Sequence, residues 1–290
     1  MTELQRPNYQ LSEAKPLAPG LHIVSTPIGN LRDITLRALD VLAAADRVFA
    51  EDTRTAAKLL GAFGLKNRLE AYHDHNGEAA RPRVMAALDA GERVALVSEA
   101  GTPLISDPGF KLVREAAAAG HAVYAVPGPS AVLAALAVAG LPTDRFLFAG
   151  FLPPKSAARR RALEELASVR ATLVLFESGP RLADTLRDMA EVLGPREGAV
   201  ARELTKLYET CVRAPLAELA ADPRFETVKG EIVVLAGPGD AAAEAVDVDL
   251  ALREALTRLS PGDAAGEVAR ALNLPRRDLY KRVLAFKAPE

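Results

Sequence analysis

The hydrophobic positions of this chain fall into two alternating patterns. Short runs rich in aliphatic and β-branched residues alternate with longer segments in which apolar residues recur every three or four positions. The first pattern is typical of strands and the second of amphipathic helices. In the first half of the chain we expect strands at 21–26, 46–51, 93–98 and 122–127. A helix is expected at 33–45, and this alternation predicts a parallel sheet with helices on both faces.

The second half of the chain continues the alternation and then becomes helical. We expect strands at 145–151, 172–178, 198–205 and 231–237, and helices at 156–168, 180–193 and 215–221. Residues 241–250 have the composition of a linker, and amphipathic helices are expected at 248–259, 262–272 and 276–286. The predicted parts are a flexible polar tail over 1–19, an N-terminal α/β domain over 20–130, a C-terminal α/β domain over 131–240 and a helical extension over 245–290.

Composition and charge narrow the class of protein. Of 290 residues, 49% are hydrophobic and 26% are charged, which is the balance of an ordinary globular protein. The net charge of −2 does not indicate a strongly basic nucleic-acid-binding protein, so any RNA site must be a local basic patch. The single cysteine, Cys211, excludes an internal disulfide framework and predicts a reducing cytoplasm. We expect no membrane contact, because no apolar run is long enough to span a bilayer and the N-terminus lacks a signal-peptide pattern.

Three loops rich in glycine and proline follow predicted strands, at 26–31, 98–109 and 127–130. Ligands of parallel sheets bind beyond the carboxyl ends of the strands, so these loops predict a ligand site. The first loop can present backbone groups to a polar ligand or be only a tight turn, and it does not match the dinucleotide or phosphate-loop motifs. The loop at 98–109 is the most specific, because a simple connection rarely needs so many turn-forming residues. Ser130 is also placed as a helix N-cap.

Two further groups of polar residues follow strands. The segment EDTR ends the second strand, where Asp52 or Thr53 can cap a helix, or Glu51 and Arg54 can orient a polar substrate. His73 and His75 share one face of an extended segment, but two histidines leave a zinc site short of ligands. We therefore predict no metal and favour substrate contact or loop hydrogen bonding for this pair.

Basic residues cluster in two places outside these loops. One cluster begins a helix after a predicted domain boundary, and the other lies in a helix–turn–helix pattern near the C-terminus. A solvated helix face or a small packing hairpin is the alternative to phosphate contact in each case. The candidate RNA-binding residues are Lys155, Arg159, Arg160, Arg161, Arg276, Arg277 and Lys281.

Eight motifs occur in order along the chain: TPIGNL, EDTR, HDHN, SEAGTPLISDPG, PGPSA, GFLPPK, ARELTK and KGE. Together they resemble the ribosomal RNA small subunit methyltransferase I family of the tetrapyrrole methylase superfamily, over residues 21–237 and again in the helical extension. The resemblance implies a two-domain α/β methylase with a parallel sheet in the first domain and a mixed sheet in the second. It further implies a homodimer that uses S-adenosylmethionine to methylate the 2′-oxygen of a decoding-centre cytidine in 16S ribosomal RNA of the 30S subunit.

The same resemblance implies which residues surround the cofactor. They are Pro27, Ser98, Glu99, Ala100, Gly101, Thr102, Asp107, Ser130, Ala131, Phe176, Lys229, Gly230 and Glu231, with Glu177 beside them. Residue 99 departs from the family, which usually has aspartate there; the extra methylene of Glu99 moves the carboxylate outward.

A ribose hydroxyl is a poor nucleophile at neutral pH, so a nearby base or cation should help as its proton leaves. We expect this help from the Glu51–Arg54 group or from the Arg202–Lys206 group, which also contains Glu203. The default interpretation of the segments 202–206 and 229–231 is a salt-bridged framework. Two alternative functions stay open: methylation of a small tetrapyrrole, and RNA binding without catalysis by a ribosome assembly factor.

Overall fold

Two five-stranded sheets form the framework of the computed structural model, which describes residues 16–73, 76–239, 248–272 and 274–286. The first sheet is parallel throughout and has the spatial order 3-2-4-1-5. Its strands are β1 (Gly20–Val24), β2 (Arg47–Ala50), β3 (Leu69–Ala71), β4 (Arg93–Val97) and β5 (Val123–Val126). The helices of this half are α1 (Leu36–Ala44), α2 (Thr53–Ala62), α3 (Gly77–Asp89), α4 (Phe110–Ala118) and α5 (Ala131–Ala139).

The packing of the helices leaves a crevice in the first half. Helices α1 and α2 share a buried cluster on one face of the parallel sheet, and α3 and α4 share a cluster on the other. The chain therefore leaves the neighbouring central strands β1 and β4 toward opposite faces. A departure of this kind opens a crevice at the carboxyl ends of the two strands, where ligands of such sheets bind.

The second sheet is mixed, as the resemblance implies. Its strands are β6 (Phe146–Phe151), β7 (Thr172–Ser178), β8 (Glu197–Arg202), β9 (Thr210–Pro215) and β10 (Glu231–Ala236). They lie in the order 6-7-10-8-9, with only the β6–β7 pair parallel. The helices of this half are α6 (Ser156–Ala167), α7 (Leu182–Leu193) and α8 (Leu216–Ala221).

Helix α5 joins the two halves. Along β10, Val233 and Leu235 pack in one buried cluster with α5, while Ile232 and Val234 pack with α6, α7 and α8 in another. Alternate strand residues point to opposite faces, so α5 covers one face of the second sheet and the other helices cover the opposite face. Ile28, from the loop after β1, is buried in the cluster of α5. The crevice of the first sheet is thereby set against the second sheet.

Three helices follow at the C-terminal end: α9 (Val248–Leu256), α10 (Pro261–Leu272) and α11 (Arg276–Ala285). They share a hydrophobic cluster of their own, which includes Leu252, Val268 and Leu279. Residues 1–15 of the expected tail, His75 and residues 241–247 of the expected linker lie outside the described residues. No helix in the described part of the chain is long and apolar enough to cross a membrane.

Local predictions were wrong at four places. The strands β3 and β9 were not expected. The helix expected from residue 33 starts at Leu36, because Leu31–Asp33 forms a separate 3-10 turn and Thr35 caps α1 by accepting from the Ala38 N–H at 3.1 Å. The strand expected to reach residue 205 ends at Arg202, because the backbone turns at Glu203 (φ 52°).

Candidate active site

The loops that follow β1, β4 and β5 are hydrogen-bonded to one another. Thr26 and Gly101 exchange two backbone hydrogen bonds, with N–O distances of 2.8 and 3.0 Å. The hydroxyl of Thr102 lies 3.0 Å from the Ser25 hydroxyl and donates to the Pro129 carbonyl at 3.4 Å. The three glycine- and proline-rich loops therefore form one connected rim at the carboxyl edge of the parallel sheet.

Two glycines suit this arrangement of the loops, Gly101 by its backbone conformation and Gly128 by its lack of a side chain. Gly101 has φ +79°, and a Cβ there would lie 3.4 Å from Ile28 Cγ2. A Cβ on Gly128 would lie 3.0 Å from the Ser25 Cβ, which is closer than side chains normally approach. The glycine content that marks these loops in the sequence is thus a requirement of their mutual packing.

Backbone strain is concentrated at the same place. Among the described residues, the non-glycine residues with positive φ are Leu104, Ser106, Glu203 and Thr205. The first two belong to the loop after β4, and the other two to the loop after β8. Conformations of this kind cost free energy and persist mainly where the surroundings impose them, often at functional sites.

A cavity of about 360 Å³ lies between this rim and the second sheet. Residues expected at the site that line it are Glu51, Glu99, Ala100, Gly101, Thr102, Asp107, Ser130, Ala131, Phe176, Glu177 and Glu231. Pro27 and Ser98 line a neighbouring cavity of about 210 Å³, which Glu99 also borders. Lys229 and Gly230 line neither cavity.

Several lining residues escaped the sequence analysis. Ile28, Ile105, Ser106, Val132, Phe151, Ala201, Leu204, Ile232 and Val233 also face the cavity. Phe151 ends β6 and is 59% exposed, whereas aromatic side chains at strand ends are commonly buried.

The cavity is acidic. Glu51, Glu99, Asp107, Glu177 and Glu231 line it, and no lysine or arginine does so among the described residues. Carboxylates gathered in a partly closed space attract a cationic ligand and repel a phosphate.

Glu177 is the most enclosed of these carboxylates. Its side chain accepts hydrogen bonds from the Thr185 hydroxyl at 2.6 Å and from the Ser178 N–H at 2.8 Å. Arg181 Nε lies 3.3 Å from the same carboxylate. These partners offset the free-energy cost of burying the carboxylate, so Glu177 serves as a fixed part of the cavity wall.

Lys206 is tied to the wall of the cavity. Its ammonium lies 2.9 Å from Glu203 Oε1 and 3.0 Å from Glu231 Oε2. Burial lowers the pKa of Lys206, but the hydrogen bonds to Glu203 and Glu231 outweigh burial and hold the pKa above its ordinary value. Its stem crosses the loop after β1, where a Cβ on Gly29 would lie 2.5 Å from Lys206 Cγ. A lysine held in its protonated form cannot act as a base.

The remaining residues expected to assist catalysis occupy different surroundings. Glu51 faces the cavity. Arg54 is 86% exposed and pairs with Asp52 at 2.8 Å, and this hydrogen-bonded pair lowers the pKa of Asp52 to about 2. Asp52 also caps α2, which decides between the two expected capping residues. Arg202 donates from Nε to the Lys229 carbonyl at 2.6 Å, in the framework role considered for this segment.

The basic residues expected to contact RNA divide into two groups. Arg159 must be withdrawn, because it is only 3% exposed and donates from Nε to Asp188 at 2.6 Å. Arg160 pairs with Glu191 and Asp188, and Arg276 donates to the Gly262 carbonyl. The exposed candidates whose side chains make no ion pair or hydrogen bond within the described structure are Lys155, Arg161, Arg277 and Lys281. Among the residues that the structure describes, no group of three or more histidine, cysteine, aspartate or glutamate side chains is placed to hold a metal ion.

Two family models match the chain. A model of the tetrapyrrole (corrin/porphyrin) methylases matches residues 20–220, and a model of the RsmI C-terminal HTH domain matches residues 240–287. Among solved structures, diphthine synthase is 16% identical with a TM-score of 0.59, over 75% of this chain and 89% of that one. Uroporphyrin-III C-methyltransferase from Thermus thermophilus, in complex with S-adenosylhomocysteine, is 21% identical with a TM-score of 0.53. This match covers 74% of this chain and 96% of that one. These structures share the fold.

Curated relatives named ribosomal RNA small subunit methyltransferase I match nearly the whole chain. The relative from Mesorhizobium japonicum is 50% identical and covers 94% of both chains. The relative from Erythrobacter litoralis is 52% identical over 94% of this chain and 98% of its own. The relative from Escherichia coli O157:H7 is 46% identical over 91% of this chain and 94% of its own. The chain therefore belongs to the ribosomal RNA small subunit methyltransferase I family of tetrapyrrole methylases.

Proposed function

We propose that this protein uses S-adenosylmethionine to methylate the ribose 2′-hydroxyl of a decoding-centre cytidine in 16S ribosomal RNA. The observation that carries the proposal is the acidic cavity at the carboxyl ends of β1, β4 and β5, in a chain of this family. We propose the assembled 30S subunit as the substrate and a homodimer as the active form, in which two copies would double the basic surface available to RNA.

The residues of the cavity fit S-adenosylmethionine. Its volume lies in the usual range for small-molecule sites, and its carboxylates suit the sulfonium and ammonium charges of this cofactor. Gly101 and Gly128 present no side chains at the rim, so backbone groups there can approach a ligand closely. Ile28, Phe176 and Val233 supply apolar surface for an adenine ring. When bound, the cofactor supplies a methyl group that its sulfonium charge makes electrophilic.

The protein contributes alignment and proton transfer. Glu51 receives the proton of the 2′-hydroxyl as its oxygen takes up the methyl group, and the carboxylate keeps the reacting oxygen nucleophilic. Lys206 orients Glu231 from behind the wall and so acts as a positioning residue. The connected loops hold both reacting groups in one place, which is the main contribution an enzyme can make to a displacement reaction.

The acidic cavity admits the ribose and keeps phosphates outside. Phosphate contacts therefore fall to exposed cations away from the cavity, for which Lys155, Arg161, Arg277 and Lys281 are available. The assembled subunit offers several such contacts at once, which explains how a protein with a net charge of −2 can hold an RNA substrate.

The reaction is tested with small subunits from a strain that lacks the enzyme. Wild-type protein and Glu51→Gln are incubated with these subunits and labelled S-adenosylmethionine, and the RNA is digested to nucleosides for mass spectrometry. We expect 2′-O-methylcytidine with the wild type and at least a hundredfold slower formation with Glu51→Gln at saturating cofactor, while calorimetry shows that the variant still binds S-adenosylmethionine. Full activity of Glu51→Gln would remove Glu51 from the mechanism, and no labelled nucleoside with the wild type would refute the proposed reaction.

A further inference from the structure

A second cavity, of about 440 Å³, lies on the other side of the loop after β4. Asp107 lines both cavities, so the loop is the wall between them. The other walls of the second cavity are Tyr72 and His73 after β3, the start of α3 and the first turn of α4. None of its residues except Asp107 takes part in the proposed site described above.

The mouth of this cavity carries an exposed aromatic ring. Phe110 is 64% exposed, and the Arg114 guanidinium carbon lies 5.6 Å from the centre of its ring. Phe110 and Phe151 are the most exposed phenylalanines of the described chain, and they line the cavities on the two sides of one loop. Exposed aromatic rings beside cations are the usual platform on which single-stranded bases stack.

The second cavity has basic residues in its lining, Lys111 and Arg81, beside the acidic Glu78 and Asp107, whereas among the described residues the first has only acidic ones. Lys111 is exposed and makes no ion pair in the described structure, and Arg81 faces the cavity while pairing with Glu115 at 3.0 Å. These cations can hold a phosphate, which the first cavity repels. Glu78, on the opposite wall, can accept a hydrogen bond from a base or sugar donor. A free phosphate would use only the cations, whereas a nucleotide uses all of these groups.

We propose that the second cavity binds a nucleotide of the RNA strand adjacent to the target. Its base stacks on Phe110 and its phosphate contacts Lys111 and Arg81. The inference rests on the proposed function, because it places the strand so that the neighbouring ribose reaches over Asp107 into the acidic cavity. The size of the cavity suits one nucleotide.

The test compares Phe110→Ala and Lys111→Ala with two control substitutions. The controls are Phe146→Ala and Lys66→Ala, whose side chains are also exposed but lie at the amino ends of β6 and β3, away from both cavities. Binding to unmethylated small subunits is measured by cosedimentation, and kcat and KM for the subunit are measured by methyl incorporation. We expect Phe110→Ala and Lys111→Ala to weaken subunit binding and raise KM at least fivefold, with unchanged cofactor affinity by calorimetry. The controls should match the wild type.

The possible outcomes separate this inference from the proposed function. If Phe110→Ala and Lys111→Ala bind and methylate subunits like the controls, the second cavity does not hold RNA, although the methylation reaction stands. If the wild type binds subunits but transfers no methyl group, the proposed function fails, and the binding measurement still decides the role of the cavity. If Phe110→Ala lowers the oligomeric mass in sedimentation velocity without a loss of binding per protomer, Phe110 contacts a second copy of the chain, and the inference is overturned. Thermal melts by circular dichroism verify that each variant is folded.

Discussion

At Gly101, an added methyl group would strain the backbone at the rim of the proposed cofactor site. The residue has φ +79°, a conformation that alanine adopts at a cost of about 1–2 kcal/mol, and its Cβ would lie 3.4 Å from Ile28 Cγ2. We expect Gly101→Ala to weaken binding of S-adenosylmethionine at least tenfold, measured by calorimetry, because the displaced loop carries much of the cavity wall. Gly120→Ala is the matched control, since Gly120 has φ +85° but no atom within 4 Å of the added Cβ. Equal affinities of the two variants would show that the close packing of the loops is irrelevant to cofactor binding.

The ion pair of Asp46 and Arg93, at the amino ends of β2 and β4, predicts a pH-dependent contribution to stability. Hydrogen bonds from the side chain and backbone of Arg93 lower the pKa of Asp46 from 3.8 to about 2. The folded state thus favours the ionised carboxylate more than the unfolded chain does, so the stabilisation is present above pH 4 and is lost as the pH falls toward 2. We expect Asp46→Asn to lower the free energy of unfolding by up to about 1 kcal/mol at pH 7, since the pair is partly exposed.

Urea denaturation of wild type and Asp46→Asn at pH 7 and pH 2.5 measures this effect. The difference between wild type and Asp46→Asn in the free energy of unfolding should be smaller at pH 2.5 than at pH 7. Asp144→Asn, at an exposed position without a hydrogen bond or ion pair in the described structure, is the control. A difference that stays constant between the two pH values would contradict the role of the Arg93 pair.

At the scale of elements, α6 and α7 are held together by a buried ion pair. Arg159 and Asp188 are 3% and 6% exposed, and the Ser156 hydroxyl lies 3.0 Å from both oxygens of Asp188. We expect Asp188→Ala to lower the free energy of unfolding by about 3–5 kcal/mol, because it leaves the Arg159 charge buried without a partner. Asp184→Ala, in the same helix at an exposed position, should change it by less than about 0.5 kcal/mol. Denaturant titration of both variants makes the comparison, and similar losses of stability would contradict the stabilising role of the buried pair.

The elements that escaped the sequence analysis were those without a clear pattern. The strand β3 has three residues at the edge of its sheet, which is too short for an alternation to be recognised. The strand β9 is also an edge strand, with the polar residues Thr210 and Arg213 exposed and Pro215 at its end. Long buried strands such as β4 and β7 were predicted within a residue, because their apolar runs are dictated by burial on both faces.

Part of the candidate site was predictable, because its loops have a composition that their structure requires. The loops after β1, β4 and β5 stand out because their backbone conformations require glycine and proline. Phe151 and Leu204 could not be placed in the cavity from sequence, because their position depends on how the second sheet is set against the first. Arg159 was misassigned since a run of arginines does not reveal which member points inward.

At the scale of the whole molecule, the acidic cavity and the unpaired exposed cations lie in different places. The near-neutral total conceals an acidic cavity between the two halves and exposed cations elsewhere on the chain. This separation suits an enzyme whose cofactor is cationic and whose substrate is a polyanion. Raising the salt concentration should therefore weaken binding to small subunits steeply, as cosedimentation would measure, while cofactor affinity in calorimetry changes little. Equal salt dependence of the two affinities would contradict the separation.

The central claim is that the acidic cavity serves methylation of a ribose in small-subunit RNA. A map of 2′-O-methyl groups on this RNA, compared between the parent strain, a strain lacking the gene and the same strain complemented with wild type or Glu51→Gln, tests it most directly. The account predicts that one cytidine loses its 2′-O-methyl group on deletion, regains it with the wild type and stays largely unmethylated with Glu51→Gln. A map that is identical in the parent and deletion strains would contradict the account, and a protein that still binds S-adenosylmethionine would then have a different methyl acceptor.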